Sequence, residues 1–127
     1  MAQSFRPTSP HLSVYRFTLT MTLSIVHRVL GIGLYIGTVL FALWLGAAAL
    51  GQDQLSAVQG FFGHPIIQIG LFLYTWTLFH HMAGGIKHFI WDTGVGFDAS
   101  SREMITLATL IFSIVLTLVV WAVFVWF

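Results

Sequence analysis

The chain has 127 residues, of which 57% are hydrophobic and only 7% are charged. A soluble domain of this size needs more charge to cover its surface, so the lipid bilayer is the expected solvent. The formal net charge is +1 and cysteine is absent, which together exclude a nucleic-acid partner, disulfides, cysteine-ligated clusters and cysteine nucleophiles.

The first two predicted elements are an arm and a long helix. Residues 1–17 contain Arg-Pro and Ser-Pro steps, which favour extended backbone or turns. Helix 1 is predicted over about residues 18–50, because residues 29–50 carry no charged side chain and a spanning helix needs about 20 mainly apolar residues. Since about 28 residues precede the charge-free stretch, we do not expect it to be a cleaved signal peptide.

Two further segments are long and apolar enough to span a membrane. Helix 2 is predicted over residues 65–92, with Pro65 in its first turn and Gly94 just beyond its end. Helix 3 is predicted over about residues 101–127, opened by a capping box made by Ser100 and Glu103. Helix 3 otherwise suggests a scaffold helix, with Trp121 and Trp126 near an interface. The sequence therefore predicts an all-α membrane protein whose three transmembrane helices form one anchor domain, residues 18–127.

The basic residues predict the orientation of these helices. Arg6, Arg16 and Arg28 lie before or near the start of helix 1, and Lys87 and Arg102 flank the second loop. The first loop, residues 51–64, contains no lysine or arginine. The positive-inside rule then makes the arm and N-terminus cytoplasmic and the C-terminus periplasmic. The arm lacks the Arg- and Ser-rich helix of an organelle transit peptide, so a bacterial inner membrane is expected.

Polar side chains share one face of helix 1 and one face of helix 2. Residues within about 60° of His81 on a helical wheel are Thr77, Gly84, Gly85, His88 and Asp92, with His80 and Lys87 on a neighbouring face. The stripe on helix 1 consists of Thr20, Ser24, His27, Arg28, Gly31 and Tyr35. Hydrogen bonds between helices, close helix packing at the glycines and snorkelling of the cations explain such residues individually. The cluster as a whole favours a bound cofactor about equally with structural bonding.

Haem suits the predicted depths better than zinc. At 1.5 Å per residue, His27 and His88 lie about 6–10 Å below the cytoplasmic edge and His81 about 16 Å below it. Zinc needs three or four converging ligands, whereas haem needs one imidazole at each axial position, flat clearance and cations near its propionates. His81 and His88 are about 10 Å apart on one helix, so a second axial histidine would come from another helix or chain.

Three stretches resemble the family of cytochrome b membrane-anchor subunits of succinate dehydrogenase. RPTSPHL at residues 6–12 is similar to the family's RPxSPHL, and SIVHR at residues 24–28 matches SxxHR. HMAGGIKHFIWD at residues 81–92 resembles H-x3-G-I-R-H-x3-D, with Lys87 in place of the arginine. Lysine keeps the charge but loses the bidentate fork of arginine.

The resemblance implies particular roles for these residues. His81 would be one axial ligand of a single haem b shared with a second small anchor subunit, and Ser24 and Arg28 would bind ubiquinone. The haem pocket and propionate contacts would involve His27, Arg28, Gly31, Gly84, Gly85 and His88. The chain would dock the iron–sulfur and flavoprotein subunits, which oxidise succinate, and would have no catalytic activity in isolation.

Other classes of function stay open at this point. The chain is also consistent with the anchor of a fumarate reductase, which runs the reaction in reverse. A transporter that moves ions or protons through its histidines is a second alternative, and a purely structural membrane scaffold is a third. The sequence assigns no role to His80.

Overall fold

The computed structural model describes residues 11–126, without the side chain of Trp126. The predicted arm and the RPTSPHL motif therefore lie largely outside the described residues. The described elements are α1 (Leu19–Leu50), α2 (Gln52–Phe62), α3 (Pro65–Asp92), α4 (Ala99–Trp121) and a π-helical turn (Ala122–Trp126). No β-strand occurs between residues 11 and 126, and the prediction of an all-α protein is confirmed.

Side-chain caps determine where α1 and α3 begin. The Thr18 hydroxyl accepts a hydrogen bond from the backbone N–H of Met21 (3.3 Å), so α1 starts one residue after the predicted position. Helix α3 starts at Pro65 and ends at Asp92, as predicted: Nδ1 of His64 accepts a hydrogen bond from the backbone N–H of Ile66 (3.3 Å), and Thr93 is the C-cap. The following Gly94 has a φ of 82°, a left-handed conformation that glycine adopts without steric cost.

The predicted capping box at the start of α4 is wrong. Asp98 is the N-cap, and its Oδ2 accepts a hydrogen bond from the backbone N–H of Ser101 (2.9 Å). This hydrogen bond also holds the pKa of the Asp98 carboxyl below its ordinary value. Glu103 is not available to complete a capping box, because its carboxylate accepts a hydrogen bond from Thr20 on α1 (2.9 Å).

The connection between α1 and α3 was predicted as a loop, but it contains the 11-residue helix α2. Helix α2 makes an angle of 84° with α3. By length and apolarity α1 and residues 99–125 each qualify as a membrane span, and α2 with α3 qualifies only as a bent pair. The polar residues within α3 account for its lower hydropathy. The structure thus contains two candidate spans, or three if the bent pair counts as one.

Small hydroxyl side chains form the centre of the helix packing. Helix α3 packs most extensively against α4 and also contacts α1. The buried side chains of α4 recur every three or four residues and are Thr106, Thr109, Ser113, Thr117 and Trp121. The hydroxyls of Thr109 and Thr117 donate to carbonyls of their own helix (2.8 and 2.7 Å), which satisfies them while their small size lets the helices approach.

Two side chains of α4 make polar contacts with α3. Trp121 is only 7% exposed, and its indole N–H donates to the Thr75 hydroxyl on α3 (3.1 Å). Its predicted position near a membrane interface stays a prediction. Helix α4 also contacts a titratable residue, because Ser113 Oγ lies 3.2 Å from Nδ1 of His80. The Ser113 hydroxyl donates to the carbonyl of Leu110 (2.8 Å), so Nδ1 of His80 is the donor in this pair.

Candidate functional site

A cavity of about 370 Å³ lies where α1 begins and α3 ends. Its polar lining residues are Thr20, Ser24, His27, Arg28, Lys87 and His88. Aromatic side chains of Tyr15, Phe17 and Trp91 also line it. The cavity therefore brings together Ser24, His27, Arg28 and His88, four residues that the sequence singled out on two different helices. We refer to this space as the polar cavity.

Ser24 and Arg28 form a pair within the polar cavity. They are one helical turn apart on α1, and Nη2 of Arg28 donates a hydrogen bond to Ser24 Oγ (3.4 Å). Arg28 makes no ion pair with any carboxylate among the described residues. A guanidinium without an anionic partner inside a helical span favours binding of an anion or of an oxygen that gains negative charge.

Two of the predicted imidazoles stack on each other. The rings of His27 and His81 are 4.1 Å apart between centroids and inclined by 8°. His27 Nε2 also lies 3.2 Å from the backbone carbonyl of His81, so this nitrogen carries the proton. The ring of His88 lies 5.9 Å from that of His27, edge to face. The contact between α1 and α3 therefore holds three histidines together.

Glycines allow these rings to approach the helices. A Cβ added to Gly84 would overlap the His27 ring, and a Cβ added to Gly31 would lie 3.2 Å from Cε1 of His81. The clearance that we expected for a porphyrin at Gly84 is thus filled by an imidazole. At Gly85 a Cβ would have no other atom within 4 Å, so open space lies beside α3 at that position.

The ring of His81 makes no hydrogen bond among the described residues, and its Nδ1 is buried. A buried imidazole without a partner is costly unless a bound group satisfies it. No three histidine or acidic side chains converge on one point in the described part of the chain, and haem ligation by one imidazole stays a prediction that such a donor set can accommodate.

Lys87 is buried within the helix packing, and its predicted snorkelling to the headgroups stays a prediction. Its side chain is only 6% exposed, and Nζ lies 4.8 Å from the centroid of the Trp91 ring. A cation held over an indole face is stabilised by about 2 kcal/mol when it is desolvated. Lys87 therefore contributes a second positive charge to the lining of the polar cavity.

The buried stripe of α3 is shifted relative to the predicted one. The predicted stripe was centred on His81, whereas the buried residues are Thr77, His80, Ala83, Gly84 and Lys87. His80, only 2% exposed, faces α4 and stacks on Trp76. The repeat of Ser and Thr every three or four residues in α4 is the sequence signal that predicts a polar partner for this face.

The fold and the polar cavity define a membrane subunit of several apolar helices with a cationic, histidine-rich site at one end. The family described as "Succinate dehydrogenase/Fumarate reductase transmembrane subunit" matches residues 3–120. The chain is 35% identical over 116 residues to the succinate dehydrogenase cytochrome b556 subunit of Rickettsia felis, covering 91% of this chain and 90% of the relative.

Two more relatives extend this similarity. The cytochrome b556 subunit of Paracoccus denitrificans is 33% identical over 126 residues, covering 94% of each chain. The mitochondrial cytochrome b560 subunit of Bos taurus is 34% identical over 111 residues, covering 86% of this chain and 66% of the relative. This chain belongs to the family of succinate dehydrogenase cytochrome b membrane-anchor subunits.

Proposed function

We propose that the chain crosses a bacterial inner membrane three times, with α1, α3 and α4 as the spans and α2 along the periplasmic surface. The observation that supports this arrangement is the position of the basic residues. Arg16, Arg28, Lys87 and Arg102 all belong to the end of the molecule where α1 and α4 begin and α3 ends. Helix α2, at the other end, contains Asp53 and no basic residue, as expected for the periplasmic side.

The polar cavity is proposed to bind the head group of ubiquinone. Its volume of about 370 Å³ falls in the range of about 300–1,000 Å³ that small-molecule sites occupy. The Arg28 guanidinium, which has no carboxylate partner among the described residues, would stabilise negative charge on a quinone oxygen during reduction, and Ser24 would exchange a hydrogen bond with the same oxygen. The hydrogen-bonded Ser24–Arg28 pair at the cavity wall is the observation that carries this proposal.

The chain is further proposed to hold haem b through His81. The buried, unpartnered Nδ1 of this imidazole supports the assignment, and the open space at Gly85 would allow a flat group to approach α3. His27, Arg28 and His88 would lie near the propionates, and Gly31 lets the His81 ring seat against α1. A histidine of the second anchor subunit would complete the ligation. When bound, haem b supplies a one-electron redox centre.

In this role the chain anchors an enzyme complex and is not an enzyme alone. The flavoprotein and iron–sulfur subunits would oxidise succinate and supply the electrons, and this chain would dock them to the membrane and form part of the quinone site. The family description also covers fumarate reductase, which is the alternative function. Measuring succinate:ubiquinone and quinol:fumarate activities of the same assembly decides the direction.

Arg28→Ala tests the quinone site, with Arg16→Ala as the matched control. Both variants remove one positive charge, but Arg16 does not line the polar cavity. Loss of a charge-assisted hydrogen bond of about 1.5–3 kcal/mol should lower ubiquinone reduction by succinate roughly 10- to 150-fold. Succinate oxidation by an artificial dye should be unchanged. Equal losses in the two assays, or no loss in either, would contradict the assignment.

His81→Leu tests the haem ligand through the visible spectrum. The reduced-minus-oxidised spectrum of the purified assembly should show a b-type α-band that disappears or shifts in the variant. His11→Leu, which changes an exposed histidine before α1, should leave the band intact. An undiminished band in His81→Leu would overturn the ligand assignment, and absence of any band in the unmodified assembly would favour the transporter or scaffold alternatives.

A further inference from the structure

One carboxylate of the chain is connected to the polar cavity. The chain contains four acidic residues. Asp53 lies on α2 at the opposite end, Asp92 is exposed at the end of α3, and Asp98 caps α4. Only Glu103, in the first turns of α4, shares a hydrogen bond with a side chain that lines the polar cavity, namely Thr20.

The contacts of Glu103 form a short hydroxyl–carboxylate chain. Thr20 Oγ1 donates to Glu103 Oε1 (2.9 Å) and lies 3.5 Å from the hydroxyl of Thr106, which is fully buried. Ser24 stands one turn beyond Thr20 on α1, about 6 Å further along the helix axis. Glu103 itself is only half-buried, so part of its side chain is accessible to water.

Arg28 and His27 are poorly suited to deliver protons to the cavity, whose lining also contains Lys87 and the imidazole of His88. Arg28 keeps its proton at all physiological pH values. His27 donates its Nε2–H to the backbone carbonyl of His81, which holds that proton in place. A carboxyl group linked to a hydroxyl is the arrangement that can release a proton into the cavity and regain one from water.

We propose that Glu103 supplies protons to the polar cavity through Thr20. The inference rests on the proposed function, in which ubiquinone takes up two electrons and two protons to become ubiquinol. The electrons come from succinate through the flavoprotein and iron–sulfur subunits. Protonated Glu103 passes its proton to Thr20 Oγ1 while the proton of Thr20 moves to the quinone oxygen or to cavity water. Thr20 is unchanged, and the Glu103 carboxylate regains a proton from the cytoplasmic side.

Glu103→Gln removes the exchangeable proton but keeps an oxygen that accepts the Thr20 hydrogen bond. A positioned general acid raises a reaction rate about 10²- to 10⁴-fold. Because water in the cavity can supply part of this proton transfer, we expect the rate of ubiquinone reduction to fall about tenfold. The solvent deuterium isotope effect should rise, and a small weak acid such as formate should restore part of the rate. Dye reduction by succinate and the haem content should stay unchanged.

Asp98→Asn is the matched control, because it removes a carboxylate from the same helix end while asparagine keeps an oxygen that can cap the helix. Its ubiquinone and dye activities should equal those of the unmodified assembly. Thr20→Val should reproduce the effects of Glu103→Gln, whereas Thr20→Ser, which keeps the hydroxyl, should not. Parallel losses of quinone and dye activity in Glu103→Gln and Thr20→Val would mean a structural tie only and would overturn the proposal.

The outcomes also separate the relay from the quinone site. If Arg28→Ala impairs ubiquinone reduction but Glu103→Gln and Thr20→Val have the rate and isotope effect of the unmodified assembly, the relay is wrong and the site is retained. If Arg28→Ala has no effect, the proposed quinone site itself fails. A loss confined to His88→Gln, which alters another titratable residue of the cavity lining, would also overturn the relay.

Discussion

The contact between Gly37 and Tyr74 offers the most direct test of the packing between α1 and α3. Gly37 is buried on α1, and a Cβ added there would overlap the Tyr74 ring on α3. The Tyr74 hydroxyl donates to the carbonyl of Leu34 (3.3 Å), one turn earlier on α1. Gly37→Ala must therefore displace the ring and its hydrogen bond. Gly33, on the same helix, would place a Cβ with nothing within 4 Å, so Gly33→Ala is the matched control.

The difference between the two variants isolates the steric effect. In both variants the free energy of unfolding rises by about 0.5–1 kcal/mol because alanine replaces glycine within a helix. This common increase cancels when the two variants are compared. Overpacking at Gly37 costs about 1–3 kcal/mol, and loss of the Tyr74 hydrogen bond costs about 0.5–1.5 kcal/mol. We expect Gly37→Ala to have a free energy of unfolding about 2–3 kcal/mol lower than that of Gly33→Ala.

Unfolding in mixed micelles of increasing dodecyl sulfate fraction measures this difference. A second cavity, of about 610 Å³, adjoins Tyr74 and Gly37, so a smaller effect would result if the ring moved into it. Repeating Gly37→Ala in a Tyr74→Ala background resolves this point, because the cost should then disappear. Equal stabilities of Gly37→Ala and Gly33→Ala, together with an unchanged Tyr74 environment, would refute the packing argument.

Three further predictions concern other contacts. Ser113→Ala should lower the free energy of unfolding by about 1–3 kcal/mol, because it leaves the buried His80 donor unpaired. Gly84→Ala should lower the free energy of unfolding by about 1–3 kcal/mol, because its Cβ would overlap the His27 ring. Asp98→Asn should have a lower free energy of unfolding than the unmodified chain above pH about 4. The difference should vanish as the pH falls through the lowered pKa of Asp98. Unfolding measured at neutral and at acidic pH tests this.

Neighbouring positions provide controls for these predictions. Thr109→Ala removes a hydroxyl that bonds only within α4 (2.8 Å to the carbonyl of Ile105), and it should cost less than Ser113→Ala. Gly85→Ala meets no atom within 4 Å and should be tolerated where Gly84→Ala is not. For Asp98, a stability difference that persists unchanged at acidic pH would show that the cap does not depend on its charge.

Much of the candidate site follows from local sequence patterns. The spacing of Ser24, His27 and Arg28 places them on one face of α1, and the same periodicity brings His81 and His88 to the side of α3 that meets it. Chain length and long charge-free segments predict an all-α membrane protein without knowledge of contacts. These features depend on helical geometry and on hydropathy, both of which act over a few turns of one segment.

Only the tertiary structure decides which neighbour each polar group contacts. His80 faces Ser113 and Lys87 lies buried over Trp91, although helical periodicity alone assigns His80 no partner and favours a solvated lysine. Glu103 bonds to Thr20 on α1 and leaves the capping of α4 to another residue. The Glu103–Thr20 and His80–Ser113 pairs join residues that are 83 and 33 positions apart in sequence, and the free energy of such pairing is a term that no local pattern contains.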